Sequence, residues 1–296
     1  MKTRLFALLL LTALAAPGAA GRSVEETLRE AAAALGTPKW AVDECHAHGV
    51  KVISLVGKAA HAKSAIRNGA DIVVVQGTEG GGHTGTVPTS LLVPTVTRTV
   101  DIPVIAAGGF NDGRGLVAAL AWGAAGIAMG TRFLLSAEST VPEDVKRRYL
   151  QAGINDTVVT SSVDGHPQRV IRTELVEHLT GAGRLTALPR AARNALRFRS
   201  MVGMSAGEML HEGLAMKKAQ GLSYAQMAMA ANAPMLTKAA LVDGRIDAGV
   251  LPTGQVVGVI DALPTVAEII TAVVAEAEAT IAGLGGLLDA STGGAE

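Results

Sequence analysis

A chain of 296 residues holds one large domain or two small ones. Its 26 basic and 26 acidic side chains balance, so net charge gives no sign of nucleic-acid binding, and a single cysteine, Cys45, excludes an internal disulfide. With 49% apolar residues, 35 glycines and 3% aromatics, the composition suits glycine-looped α/β units rather than a stacking platform for single strands.

Residues 1–21 carry Lys2 and Arg4, an apolar run from Leu5 to Ala16, then the small residues Gly18 and Ala20. That is the pattern of a secretory signal peptide. The run is too short for a stable membrane span. Lys39 and Trp40 open a predicted helix that carries His46 and His48. These are two residues apart and share no face. No pair of histidines has zinc spacing, so no metal site is predicted.

Four predicted strands follow: Lys51 to Val56, Asp71 to Gln76, Pro103 to Ala107 and Ala125 to Met129. Apolar, β-branched runs of this kind mark parallel strands covered on both faces. The second ends in Gln76 and runs into a loop with five glycines in nine residues, Gly77 to Gly85. That loop holds Glu79 and His83. Glycines there let backbone approach a ligand closely. A loop histidine is explained as a solvated polar residue, or as a titratable group placed where α/β folds put their chemistry. Glu79 either orients His83 or is simply solvated. The third strand runs into Gly108-Gly109, with Asp112 as N-cap of a helix over Leu116 to Trp122. The fourth runs into Gly130-Thr131. Glycine loops in register after successive strands make a phosphate-binding rim.

Beyond Phe133, a helix is predicted over Ala137 to Gln151. Strands over Thr157 to Ser162 and Gln168 to Thr173 are joined by the hairpin signal Asp164-Gly165. Residues 179–207 lack acidic side chains and carry five arginines from Arg184 to Arg199. They read as a solvated face or as a docking surface for a phosphate-bearing acyl carrier. Met201, Met204, Met209 and Met216 read as gap-fillers. A helix pair is predicted over Gly221 to Val242. After the glycine-rich connection Gly249 to Gly258, a last helix is predicted over Leu263 to Leu284, with Val266, Ile269, Ile270, Val273 and Val274 on one face.

The runs PKWAVDECHAHGVKVISLVG, QGTEGGGHTG and PVIAAGGFNDGRGLVAALAWGAAGIAMGTRF resemble the nitronate monooxygenase family, once called 2-nitropropane dioxygenases. The related flavin-dependent enoyl-acyl-carrier-protein reductases share much of this pattern. The resemblance implies an FMN-binding TIM barrel with a small helical domain. It implies flavin contacts at Gln76, Gly81 and Gly82, and phosphate contacts at Gly108, Gly109, Ala128, Met129, Gly130 and Thr131. It makes His83 the catalytic base and Gln255 a further candidate contact. The implied activity is oxidation of alkyl nitronates or nitroalkanes with O2 to a carbonyl compound and nitrite. An imidazole suits proton removal beside a nitro group.

The four strands match strands five to eight of that barrel, whereas a TIM barrel has eight. Only 36 residues precede Thr37, and the Gly-Pro-Met tripeptide usual after the family's first strand is missing. The expected organisation is therefore a leader (1–21), a partial barrel (22–178), a helical subdomain (179–248) and a return segment with the last barrel helix (249–296). A homodimer closing one barrel is the alternative arrangement. Cytoplasmic cofactor loading favours the cytoplasm, and the leader favours export. The alternatives to nitronate oxidation are an enoyl-thioester reductase and a truncated, inactive relative.

Overall fold

The protein is described by a computed structural model covering residues 38–181 and 232–292. Four parallel strands form an open sheet: β1 (Ile53–Val56), β2 (Ile72–Gln76), β4 (Val104–Ala107) and β5 (Gly126–Ala128), in the order β1-β2-β4-β5. Ile53 pairs with Ile72, Val75 with Ala106 and Ala107 with Ala128. These are the four expected strands, each trimmed by one or two residues. Strand order follows chain order, as in consecutive barrel units, and among the described residues the barrel is not closed.

Before β1 comes α1 (Lys39–Ala47). The crossovers are α2 (Ala59–Arg67), α3 (Thr89–Thr97) and α4 (Gly113–Ala121). Side chains alternate across a strand. Val73, Val75, Val104 and Ala106 point to the helices and are buried against Ala62, Ala65, Leu92, Val93, Val96 and Ala119. On the opposite face of β1, Leu55 is 42% exposed. The loop after β4 holds the expected cap: the Asp112 carboxylate accepts from the Gly115 N–H at 2.9 Å. The helix begins at Gly113 rather than Leu116 because that bond fixes its first turn.

A second, three-stranded sheet rises from the rim: β3 (Gly82–His83), β7 (Gln168–Ile171) and β6 (Thr157–Thr160), in the order β3-β7-β6. The expected β6–β7 hairpin is present, with each strand two residues shorter. The glycine loop contributes β3, so His83 lies opposite Gln168.

Two more helices differ from their expected bounds. The stretch over Ala137 to Gln151 is helical only as α6 (Glu143–Leu150), preceded by the short α5 (Thr131–Leu134). Pro142 has extended backbone angles and stands at the N-cap, and residues before a proline avoid the helical region. Glu143 and Asp144 then suit the first turn. The last helix is α9 (Val266–Thr292), following α7 (Glu174–Gly181) and α8 (Asn232–Leu241). It starts after Leu263 and Pro264 because Thr265 and Glu268 form a reciprocal cap. The Thr265 N–H donates to Glu268 Oε2 at 2.7 Å, and the Glu268 N–H donates to Thr265 Oγ1 at 3.2 Å.

The buried face of α9 is Ile269, Val273 and Ala277, while Ile270 and Val274 are about half exposed. Gly113 of α4 sets this choice. A Cβ there would stand 2.3 Å from Ala277 N and 2.5 Å from Val273 O, so the two backbones touch. Val266–Gly286 is long and apolar enough to cross a membrane by length and composition. In this fold it lies along α4. The arginine-rich residues from Arg184, the four methionines from Met201 to Met216 and the first part of the predicted 221–242 helix pair fall outside the described residues.

Candidate functional site

The rim at the C-terminal ends of β2, β4 and β5 gathers the glycine loops. The loop after β2 folds back on itself. Gln76 Nε2 donates to the His83 carbonyl at 2.8 Å and reaches the Gly81 carbonyl at 3.4 Å. Gln76 therefore braces the loop from within. Glu79 does not orient His83. Its carboxylate accepts from the Thr89 N–H at 3.0 Å and from Thr89 Oγ1 at 2.8 Å, and so caps α3. A free helix N–H is a stronger attraction for an anion than solvent is.

Close approach explains three of the glycines. A Cβ on Gly81 would fall 2.4 Å from Thr253 C and 2.6 Å from Gly254 N. Gly108 has a φ of +93°, and its Cβ would stand 3.1 Å from Gly77 O and Gly80 N. Gly109 has a φ of +87° and faces the Glu79 side chain. The connection before α9 thus returns to the rim. The Gly254 N–H donates to Thr131 Oγ1 at 3.0 Å, Thr131 Oγ1 and Thr253 Oγ1 are 3.2 Å apart, and the Gln255 N–H donates to Glu79 O at 3.0 Å. Gly82 and Gly130 differ from the others: a Cβ on either would meet nothing within 4 Å. Ala128 ends β5, and the Met129 side chain packs against the main core, leaving its backbone to the rim.

His83 stands at the edge of this rim with its side chain 54% exposed. Its Nε2 lies 2.7 Å from Asp164 Oδ2. Asp164 lies in the hairpin turn, its side chain only 4% exposed, and its Oδ1 accepts from the His166 N–H at 3.0 Å. The hydrogen bond to Asp164 raises the His83 pKa above its ordinary value, burial opposes, and the Asp164 charge adds to the rise. Burial pushes the Asp164 carboxyl up, but the bond and charge of His83 and the His166 N–H hold it below the usual carboxylate range. The His166 ring meets the His83 ring edge-on at 6.0 Å.

In the sequence Asp164 reads only as part of the Asp164-Gly165 hairpin signal, with His166 directly after it. Their signal was an Asp-Gly-His run, which is common in hairpins, and nothing local linked it to His83, 81 residues away. Arg169 was also missed. It is 8% exposed, donates to the Thr78 carbonyl from Nε and Nη2, and to Thr157 Oγ1 from Nη1, clamping the glycine loop to the hairpin. A cavity of about 400 Å³ lies elsewhere, below α9, walled by Asn111, Arg132 and Glu276 among others. His83 is not one of its walls.

The family model for nitronate monooxygenase matches residues 23–276. A relative from Rhodococcus jostii (strain RHA1), named (3aS,4S,5R,7aS)-5-hydroxy-7a-methyl-1-oxo-octahydro-1H-indene-4-carboxyl-CoA dehydrogenase, is 53% identical over 264 residues, which is 89% of this chain and 75% of the relative. A protein of the same name from Mycobacterium tuberculosis (strain ATCC 25618 / H37Rv) is 52% identical over 257 residues, 86% of this chain and 72% of the relative. The structure of FabK from Thermotoga maritima superposes with a TM-score of 0.63 at 36% identity, covering 85% of this chain and 68% of that one. The α/β barrel units, the glycine rim and these likenesses agree, and the chain belongs to the nitronate monooxygenase family of oxidoreductases.

Proposed function

We propose that this protein is an FMN-dependent oxidoreductase in which His83 takes a proton from carbon beside an electron-withdrawing group, and that its substrate is a coenzyme A thioester. The observation that carries the reading is His83 itself. It is half-exposed at the rim where the loops of three adjacent parallel strands meet, and is held from behind by a buried carboxylate. This is where barrel folds place their chemistry.

The residues fit a flavin phosphate. Gly108 and Gly109 adopt left-handed backbone, and Gly82 and Gly130 leave open the space a side chain would fill. Gly108, Gly109, Gly130 and Thr131 would hold the phosphate end, with Gly81 and Gly82 nearer His83. Bound flavin would supply the acceptor for the electron pair leaving the substrate. His83 holds the proton at the ring nitrogen that Asp164 leaves free.

Two observations pull on the substrate class. The relatives matching nearly nine-tenths of the chain are named as dehydrogenases of a carboxyl-CoA compound, and a thioester carbonyl acidifies the adjacent C–H. The family model favours a nitronate with O2, and an imidazole paired with a carboxylate, and so partly cationic, would attract a preformed nitronate anion. An enoyl-thioester reductase runs the thioester chemistry in the opposite direction and is told apart by dependence on reduced nicotinamide.

The test begins with the visible spectrum of the purified protein. Flavin bands near ~370 and ~450 nm, with FMN released on denaturation, are expected. Bleaching of those bands by an alicyclic acyl-CoA without O2 consumption supports the thioester reading. O2 uptake and nitrite release with a nitronate supports the family reading instead. A folded protein that stays colourless with added FMN overturns both.

A further inference from the structure

The His83 imidazole has two nitrogens with different surroundings. Nε2 is tied at 2.7 Å to Asp164 Oδ2, under the hairpin. Asp164 is itself fixed: its other oxygen takes the His166 N–H at 3.0 Å, and its side chain is almost wholly buried while the His83 ring is half-exposed. A buried carboxylate accepts a proton bond far better than it tolerates a lone pair facing it. The neutral ring therefore carries its proton on Nε2 and its lone pair on Nδ1.

We infer that Asp164 is a positioning residue: it fixes the tautomer of His83, so that Nδ1 is the nitrogen presented to substrate. The inference rests on the proposal that His83 handles the substrate proton. The other charged and titratable groups facing this pair are assigned elsewhere. Arg169, on β7 opposite Gly82, is spent on Thr78 and Thr157. Glu79, in the same loop as His83, caps α3. His166 presents a ring edge to the His83 ring. Asp164 is therefore the one carboxylate bonded to His83 among the described residues.

The hairpin thus takes part in the site. Residues 161–167 join β6 to β7, and β7 pairs with β3, which carries His83. Register in that pairing sets the His83–Asp164 distance, so the second sheet serves as the mount for the ring.

The test is a long-range ¹H–¹⁵N spectrum of the FMN-reconstituted, ¹⁵N-labelled protein across pH, with His83→Asn identifying the His83 signals. The expected result is an Nε2–H tautomer for neutral His83, titrating above its ordinary value. In Asp164→Asn the ring should titrate closer to its ordinary value, and turnover should fall by about 10-fold or more. Asp164→Glu should recover part of both. A neutral His83 carrying its proton on Nδ1, or a titration that Asp164→Asn leaves unmoved, overturns the inference. The tautomer is read in the unaltered protein, so that arm stands even if Asp164→Asn fails to fold. These ring signals are independent of turnover. If they are as expected while His83→Asn keeps full activity, the proton-handling reading falls, and with it the catalytic meaning of a pairing that is nonetheless real.

Discussion

Strand β2 has a histidine–aspartate pair near each end, and the two pairs have different chemical characters. At its N-terminal end, Asp71 Oδ2 lies 2.8 Å from His46 Nε2. Beyond its C-terminal end, Asp164 Oδ2 lies 2.7 Å from His83 Nε2. The Asp71 carboxylate also takes Lys51 Nζ at 2.7 Å and the Val52 N–H at 2.9 Å. Burial raises its pKa, but Lys51, the Val52 N–H and His46 together hold it down to about 2. That carboxylate is shared among three donors, one of them a permanent cation. Asp164 has no lysine partner among the described residues and lies deeper, 4% exposed against 18%, and its bond raises the His83 pKa. Similar pair geometry thus gives a structural clamp at one end and a polarised imidazole at the other. The contrast matches the division of a barrel into a stability face and a chemistry face.

The sharpest way to break the comparison is to replace each histidine in turn. His83→Asn should keep FMN and lower kcat/KM by about 100-fold for substrates that must lose a proton, the usual scale of general acid–base catalysis. If the substrate is a nitro compound, its preformed nitronate should suffer less than the neutral nitroalkane. His46→Asn should change kcat/KM by no more than about 2-fold, as a surface substitution does. Equal losses from the two variants would mean that the ends of β2 do not differ in kind.

A second contrast concerns backbone rather than charge. Gly81→Ala would drive its Cβ into the backbone of Thr253 and Gly254. Backbone cannot rotate away as a side chain can, so a cost of about 2 kcal/mol or more is expected. Gly69, at the other end of the sheet, has a φ of +99°, and its nearest neighbour is Val42 Cγ1 at 3.0 Å. Gly69→Ala should cost about 1 kcal/mol, mainly from the left-handed backbone. Urea midpoints of the two variants give the order. A larger loss from Gly69→Ala would show that the rim loop yields more readily than its contacts suggest.

What was legible in the sequence follows the same division between local and distant causes. The four strands were legible because each is a short apolar run ending in glycine, a signal contained within a few residues. Asp112 was legible as a cap because its partner, Gly115, is three residues on. The rim was legible through the glycines, since a missing side chain is visible in the sequence. The partners of those glycines were not. Thr253 lies against Gly81 and Asp164 holds His83 only because the hairpin and the return segment fold back over the rim. The buried face of α9 was half legible. Periodicity alone allowed Ile270 and Val274 as well as Ile269 and Val273, and the choice came from Gly113 on another helix. The start of α6 was misplaced because Pro142 was read as lying inside a helix that it in fact begins.

The smallest expected effect is thermodynamic, and it separates the two ends by the sign of their pH response. Asp71 has a folded pKa below its unfolded one of about 3.9. Its contribution is therefore fully present above that unfolded value and is lost as pH falls towards about 2. His83 has a folded pKa above its unfolded one of about 6.5. Its contribution is fully present below the unfolded value and is lost as pH rises through the folded one. Asp71→Asn should thus cost about 1 kcal/mol at neutral pH and flatten the acid limb of a plot of Tm against pH, leaving the alkaline limb as it was. His83→Asn should remove the decline that sets in as pH rises past the unfolded histidine value. An acid limb unchanged in Asp71→Asn would mean that the Lys51, Val52 and His46 bonds together leave the Asp71 carboxyl at its unfolded pKa, so that the clamp at the N-terminal end adds no pH-dependent stability.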